Sequence, residues 1–191
     1  CYWRTSRAGD WLIPDSRGNV NLNPLPDLPP NFGVNFREPE AFRKHETERT
    51  KYGDGWISGG ADHSEFQWRS YRYDYFRMVE TLDANIGEVL TALQGRCDVE
   101  NTVVIFASDH GEMAGEKGKV CKSYPYNGAL TVPTIISSPG RIREDVINEH
   151  HLINNVDLFP TICDYAGIPA VDKCRGSSLR PVLESGTSPD W

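Results

Sequence analysis

No C-x-x-C pair occurs anywhere among the five cysteines (Cys1, Cys97, Cys121, Cys163 and Cys174), so the spacing of a zinc ribbon is absent. No run of about eighteen apolar residues occurs either, which leaves nothing to span a membrane as a helix. Positive charge is in deficit. Twenty Lys and Arg stand against 27 Asp and Glu, a net charge of −7, and the isoelectric point is near 5.2. That balance argues against nucleic acid as the default partner. There is no internal repeat, no low-complexity tract and no signal-peptide pattern. Cys1 opens the chain in what reads as the middle of a larger protein, so the missing signal carries no message about export. An odd number of cysteines leaves two readings of Cys163 and Cys174, a disulfide in an oxidising compartment or free structural thiols.

What is present is length enough, at 191 residues, for one domain with a sizeable core. The most informative stretch is Asn101 to Lys122. Thr102-Val103-Val104-Ile105-Phe106 is a β-branched, apolar run that reads as a buried strand of a parallel sheet. It ends in Ala107-Ser108-Asp109-His110-Gly111-Glu112. Two potential metal ligands, Asp109 and His110, thus leave the carboxyl end of a strand, where open α/β sheets place their ligands. Without a metal, an Asp capping the next turn and a His satisfied by backbone explain the same pair. Glycines at 111, 115 and 118 permit tight turns. Lys122, twelve residues after His110, returns a positive charge.

The strongest helix signal covers residues 65–94. Tyr71, Tyr75, Val79, Leu82, Ile86, Val89 or Leu90, and Leu93 step by four and three along one face, and Gly95 is a stop. Glu80, Asp83 and Glu88 fall mostly off that face and read as solvated. A second strand is predicted over 130–137, with Pro133 near its start or at an edge. Ser138-Pro139-Gly140 is a turn. Asp157 is placed to cap a helix that runs to Ala166 and stops at Gly167. Residues 1–40 are rich in proline and read as an irregular excursion, either part of a substrate pocket lined by arginines or a surface wrap pinned by Trp3 and Trp11. Residues 38–51 read as a charged helix, 53–64 as loop, and 174–191 as a polar, turn-rich exit. His45, His63, His150 and His151 read as exposed, and Lys117 and Lys119 as solvated.

Ser108-Asp109-His110-Gly111-Glu112 after an apolar strand, Gly115-Glu116, Lys122 and Val132-Pro133 together resemble the sulfatase family of the alkaline-phosphatase superfamily. So do Val156-Asp157-Leu158-Phe159-Pro160-Thr161, Ala166-Gly167-Ile168-Pro169 and Gly176-Ser177-Ser178-Leu179. The resemblance is weak from Cys1 and clear from about Tyr71 to Leu183. It implies an α/β fold with a mixed, mostly parallel sheet flanked by helices, incomplete here. Residues 1–183 would be the later part of the catalytic domain, with 1–64 a substrate-side insertion and 65–169 the helix–strand core. Residues 184–191 would begin a linker or C-terminal subdomain.

The same resemblance implies hydrolysis of a sulfate ester on a small molecule or carbohydrate. Asp109 and His110 take the places of metal ligands, and Lys122 that of a lysine contacting the sulfate and its leaving oxygen. The family ion is usually calcium, which prefers oxygen ligands. An imidazole in the set leaves room for manganese or zinc. Glu112 has two readings, a carboxylate orienting His110 or a helix-start residue. The family nucleophile is a formylglycine made from Cys or Ser in C/S-x-P-x-R, and no segment of this chain has that form. The nucleophile, the early Asp-Asp metal pair and the Pro-His acid are therefore expected in a missing N-terminal half, and the chain alone is expected to be inactive. Tyr126, Asn127 and Thr131 stand where relatives carry Tyr-Glu and Arg, so a family salt bridge is expected to be lost. Two alternatives share these features, a phosphodiesterase or phosphonate monoester hydrolase of the same superfamily and an inactive remnant. A periplasmic, secreted or lysosomal setting is typical of the family.

Overall fold

The computed structural model describes residues 25–33, 38–41 and 64–186. Most of the expected proline-rich excursion, most of the 38–51 helix, and His45 and His63 lie outside them. Two compact units are formed, Cys1–Val89 with His110–Thr131, and Leu90–Asp109 with Val132–Trp191.

Helix α1, Glu65–Gln94, has the predicted bounds. Its start is fixed by a reciprocal cap. Gln67 N donates to Ser64 Oγ at 3.3 Å and Ser64 N donates to Gln67 Oε1 at 2.8 Å, which satisfies two of the donors a helix start leaves without partners. The apolar stripe behaves differently at its two ends. Trp68, 1% exposed, is the anchor and meets Phe32 edge-on at 5.5 Å between ring centroids. Farther along, Val79, Leu82 and Val89 are exposed, Val89 to 68%. The periodicity therefore gave the helix but not its buried length.

In the first unit, α1 holds residues 25–33 through Arg69, whose guanidinium donates to the carbonyls of Leu25 (2.8 Å) and Pro26 (3.1 Å). Arg72 donates to the carbonyl of Ala114 at 2.7 Å. Within the 110–131 segment lies a small core of Met113, Tyr124 and Ala129, with Tyr126 packed on it. A four-residue helix, α2, Asn127–Leu130, carries Ala129 inward. Thr131, at its end, donates its N–H to Asn127 O at 2.8 Å.

The second unit contains strands β1, Val104–Ala107, and β2, Thr134–Ser137. They pair antiparallel, Val104 opposite Ser137 through Ala107 opposite Thr134. This differs from the parallel neighbour that the apolar run suggested: among the described residues the sheet has two strands, and they run antiparallel. Composition reports burial of a strand, not the direction of the one beside it. Pro133 falls just before β2, where its missing N–H costs no ladder bond.

Helix α3, Leu158–Ala166, ends at Gly167 (φ 67°). Ile168 N donates to Cys163 O at 3.0 Å and Gly167 N to Asp164 O at 3.2 Å, the paired bonds of a Schellman motif. Asp157 does not cap α3 with its carboxylate, as predicted. One oxygen accepts from Asn154 N (2.8 Å), closing a capping box on the preceding 3₁₀ turn, and the other accepts from Ser177 N (2.9 Å). The buried carboxylate is better used joining two segments than capping one. Thr161 Oγ1 extends the joint by accepting from Leu179 N at 2.8 Å. The polar exit expected over 174–191 contains a further helix, α4, Arg180–Ser185, with Pro181 in its first turn. Arg180 donates to Asp164 (3.1 Å) and to Glu184 (2.9 Å). Cys163 and Cys174 are free thiols, so the second of the two readings holds.

Gly176 sits where this joint has no room. A Cβ there would lie 2.1 Å from Val156 O, whereas one on Gly140 (φ 70°) would meet nothing within 4 Å. Gly140→Ala should cost about 1 kcal/mol, the penalty of a left-handed conformation alone. Gly176→Ala should cost upward of about 2 kcal/mol, because backbone has to move. Urea denaturation of the two variants checks the order.

Candidate functional site

Strand β1 delivers Ser108 and Asp109 at its carboxyl end. In the second unit their backbone is held by Asn155, whose side-chain amide donates to Ser108 O at 2.9 Å and Asp109 O at 3.2 Å. Asp109 is exposed. Its carboxylate is an oxygen donor of the kind a divalent cation takes.

His110 opens the other unit's loop. Its Nδ1 lies 2.9 Å from Gly111 O. A carbonyl only accepts, so Nδ1 carries the proton and Nε2 presents its lone pair. The Lys122 ammonium is hydrogen-bonded to that Nε2. Two of the three residues singled out in the sequence therefore meet through side chains. The lone pair that faces Lys122 is also the one a metal would use.

The loop can close because Gly111 has no side chain. Gly111 N donates to Ala129 O at 2.8 Å, and a Cβ on Gly111 would lie 2.0 Å from Gly128 O. Met113 N donates to Cys121 O at 3.0 Å, and Gly115 N to Lys119 O at 2.9 Å. These bonds fold 113–121 into a tight turn that returns the chain toward His110.

Glu112 fits neither of its two readings. No helix starts there, and the imidazole Nδ1 is taken by Gly111. Its Oε1 instead accepts from Tyr71 OH (2.9 Å), Ala114 N (3.2 Å) and Cys121 N (2.5 Å). Removal from water, then the Glu112 charge and hydrogen bond, push the Tyr71 phenol far above its ordinary value. Removal from water, then Glu112, also raise Tyr75.

Lys119 is a correction. It is 4% exposed rather than solvated, and lies 3.1 Å from the carboxylate of Glu38, itself buried. Tyr126 OH donates to the same carboxylate at 2.7 Å, and the ammonium stands 4.8 Å from the Tyr124 ring centroid. Nothing local announced this pair, since its members are 81 residues apart. Lys117 stands 5.0 Å from the ring centroid of Tyr126. Among the described residues no three His, Cys, Asp or Glu side chains form a metal cluster. Asp109 and His110 are each of a donor type that a divalent cation takes.

A family model, Sulfatase, matches residues 27–168. The chain belongs to the sulfatase family. It is 34% identical over 143 residues to an N-acetylglucosamine-6-O-sulfatase of Bacteroides thetaiotaomicron, covering 74% of this chain and 25% of that protein. The sulfatase chain thus spans about a quarter of the length of the curated relatives it matches. Among solved structures it resembles a putative sulfatase from the same bacterium, with a TM-score of 0.74 and 26% identity over 87% of this chain and 36% of that one. A phosphonate monoester hydrolase from Silicibacter pomeroyi is also similar, with a TM-score of 0.63 and 26% identity over 84% of this chain and 33% of that one. The expected fold, α/β of the alkaline-phosphatase and sulfatase kind, is the one found, and the family generally uses a divalent metal.

The Tyr71–Glu112 bond gives this sulfatase loop a pH dependence. A phenol raised in the folded state leaves stability intact below its unfolded value near 10 and loses it as pH rises above that value. Stability of the chain should therefore fall above about pH 10, and Tyr71→Phe should flatten that fall. Denaturant titrations between neutral pH and pH 11 check it.

Proposed function

We propose that this chain is part of a sulfuric ester hydrolase that cleaves a sulfate ester on a carbohydrate, with Asp109, His110 and Lys122 as its contribution to the active site. The observation that carries the reading is the Lys122 ammonium bonded to the Nε2 of His110, on a loop leaving a strand end, in a sulfatase chain. The named activity of the N-acetylglucosamine-6-O-sulfatase supports a sulfated sugar as substrate.

Asp109 offers an oxygen donor, and His110, held in the Nδ1–H form by Gly111, offers a nitrogen donor. A divalent cation bound there would supply Lewis-acid polarisation of the ester. Calcium is the family expectation, and the imidazole makes manganese or zinc a fit as well. Lys122 is mobile enough as an exposed side chain to move from the imidazole to an anion, where a fixed positive charge steadies the sulfate and the oxygen that leaves. The nucleophile, a formylglycine, is assigned to a segment outside these 191 residues. A periplasmic, secreted or lysosomal setting goes with this reading.

The test is a longer chain that restores the upstream segment, assayed on aryl sulfate and on N-acetylglucosamine 6-sulfate. Lys122→Ala should lower kcat on the order of a hundred- to thousandfold, the effect of removing one preorganised charge-stabilising donor. His110→Ala should lower the bound metal content measured by elemental analysis. Undiminished turnover by Lys122→Ala rejects its role. Faster turnover of a phosphonate monoester, with an unmodified nucleophile by mass spectrometry, would replace the sulfatase activity by that of the hydrolase relatives.

A further inference from the structure

We propose that Glu112 is a positioning residue whose carboxylate holds the 110–122 loop in the shape that brings Lys122 to His110. This rests on the reading of those two residues as site residues. Glu112 lies two residues after His110, and Cys121 one before Lys122. One oxygen, Oε1, joins them by accepting Cys121 N at 2.5 Å and Ala114 N at 3.2 Å, with Tyr71 OH of α1 as third donor at 2.9 Å.

The two backbone donors have something in common. Ala114 (φ 44°) and Cys121 (φ 67°) are both non-glycine residues in the left-handed region. Residues with a Cβ are held there only where their surroundings determine it. A carboxylate is the strongest acceptor available to such N–H groups. Tyr71 ties that carboxylate to a long helix, so the loop is referenced to a rigid element rather than to itself. Without Glu112, both residues relax toward negative φ, and the chain direction entering Lys122 changes. The side chain touches neither the proposed metal nor the sulfate. Its effect passes through backbone.

The test uses the 191-residue chain with ¹⁵N-labelled histidine. In the wild type, His110 should show a protonated Nδ1 and a hydrogen-bonded, bare Nε2. Lys122→Met defines the spectrum in which that bond is gone. Glu112→Ala should give the Lys122→Met spectrum, and Glu112→Gln, which keeps an uncharged oxygen acceptor, should retain part of the bond. Adding Ala114→Gly and Cys121→Gly to Glu112→Ala should restore part of the Nε2 bond, because glycine reaches those angles without the Cβ penalty. A merely structural carboxylate would leave the histidine spectrum unmoved in every folded variant. Glu112→Ala with the wild-type spectrum overturns the proposal. Where Glu112→Ala fails to fold by circular dichroism, the triple variant decides: a folded chain lacking the Nε2 bond overturns it, and one that has regained it supports it. A wild type without the Nε2 bond overturns the His110–Lys122 contact itself. Loss of turnover in Lys122→Ala tests the sulfatase activity apart from this.

Discussion

A loop that leaves a strand with a histidine and must return a lysine to the same imidazole has a geometric problem, and one half-buried acceptor solves it. Glu112 gathers a phenol and two backbone N–H groups on a single oxygen. Three non-glycine residues of the loop, Ala114, Lys117 and Cys121, stand at positive φ. Each such conformation costs roughly 1–3 kcal/mol. A hydrogen bond to a charged acceptor contributes roughly 1.5–3 kcal/mol, so the two terms are of one size. Lys117, which Glu112 does not reach, has its N–H bonded to Asn31 O at 3.0 Å. The loop's shape is therefore set by its partners and not by its own preferences.

The buried Lys119–Glu38 pair works on the same loop. Taking both charges out of water is costly, and each compensates the other only because further groups complete the set. Tyr126 OH fills a lone pair of Glu38, and the Tyr124 ring faces the ammonium. Removing one partner would leave an uncompensated charge beside the core of Met113, Tyr124 and Ala129. The pair is thus less a source of stability than a condition on register. The turn at 115–119 can occupy only the place where Lys119 reaches Glu38.

How much of this could be read in the sequence follows from how local each interaction is. Helix α1 was legible to its end residues because a 3.6-residue period and a following glycine are local signals. Strand β1 and its Asp109-His110 exit were legible for the same reason, together with the likeness to sulfatases. The direction of β2 was not, since pairing is decided by the topology of a sheet and not by either strand. Lys119 and Glu38 each looked like ordinary charged surface residues. Their burial depends on a segment 81 residues away, and no pattern within either window records that. Asp157 had the residue type and place of a helix cap, and the pull of Ser177 from twenty positions on outweighed it. Glu112 was noticed for its place after His110, while its true partners, Tyr71 and Cys121, lie outside any short motif.

The glycines show the limit of motif reading from the other direction. Gly111 and Gly176 both sit in segments that carry the family likeness, and neither has a positive φ. Their lack of a side chain matters through close approach, to Gly128 O in one case and Val156 O in the other. In the first, contact with α2's segment lets His110 leave the strand and turn at once. In the second, contact with the 3₁₀ turn lets Ser177 reach Asp157. A family motif such as Asp109-His110-Gly111 therefore mixes residues proposed as metal ligands with one that makes room for the backbone. A motif such as Gly176-Ser177-Ser178-Leu179 serves the backbone throughout. Its glycine clears space, its serines supply an N–H and a hydroxyl to Asp157 and Asp164, and its leucine closes the buried joint. Likeness to a family is thus evidence for a backbone first, and the chemistry belongs only to those positions whose side chains the backbone turns toward one another.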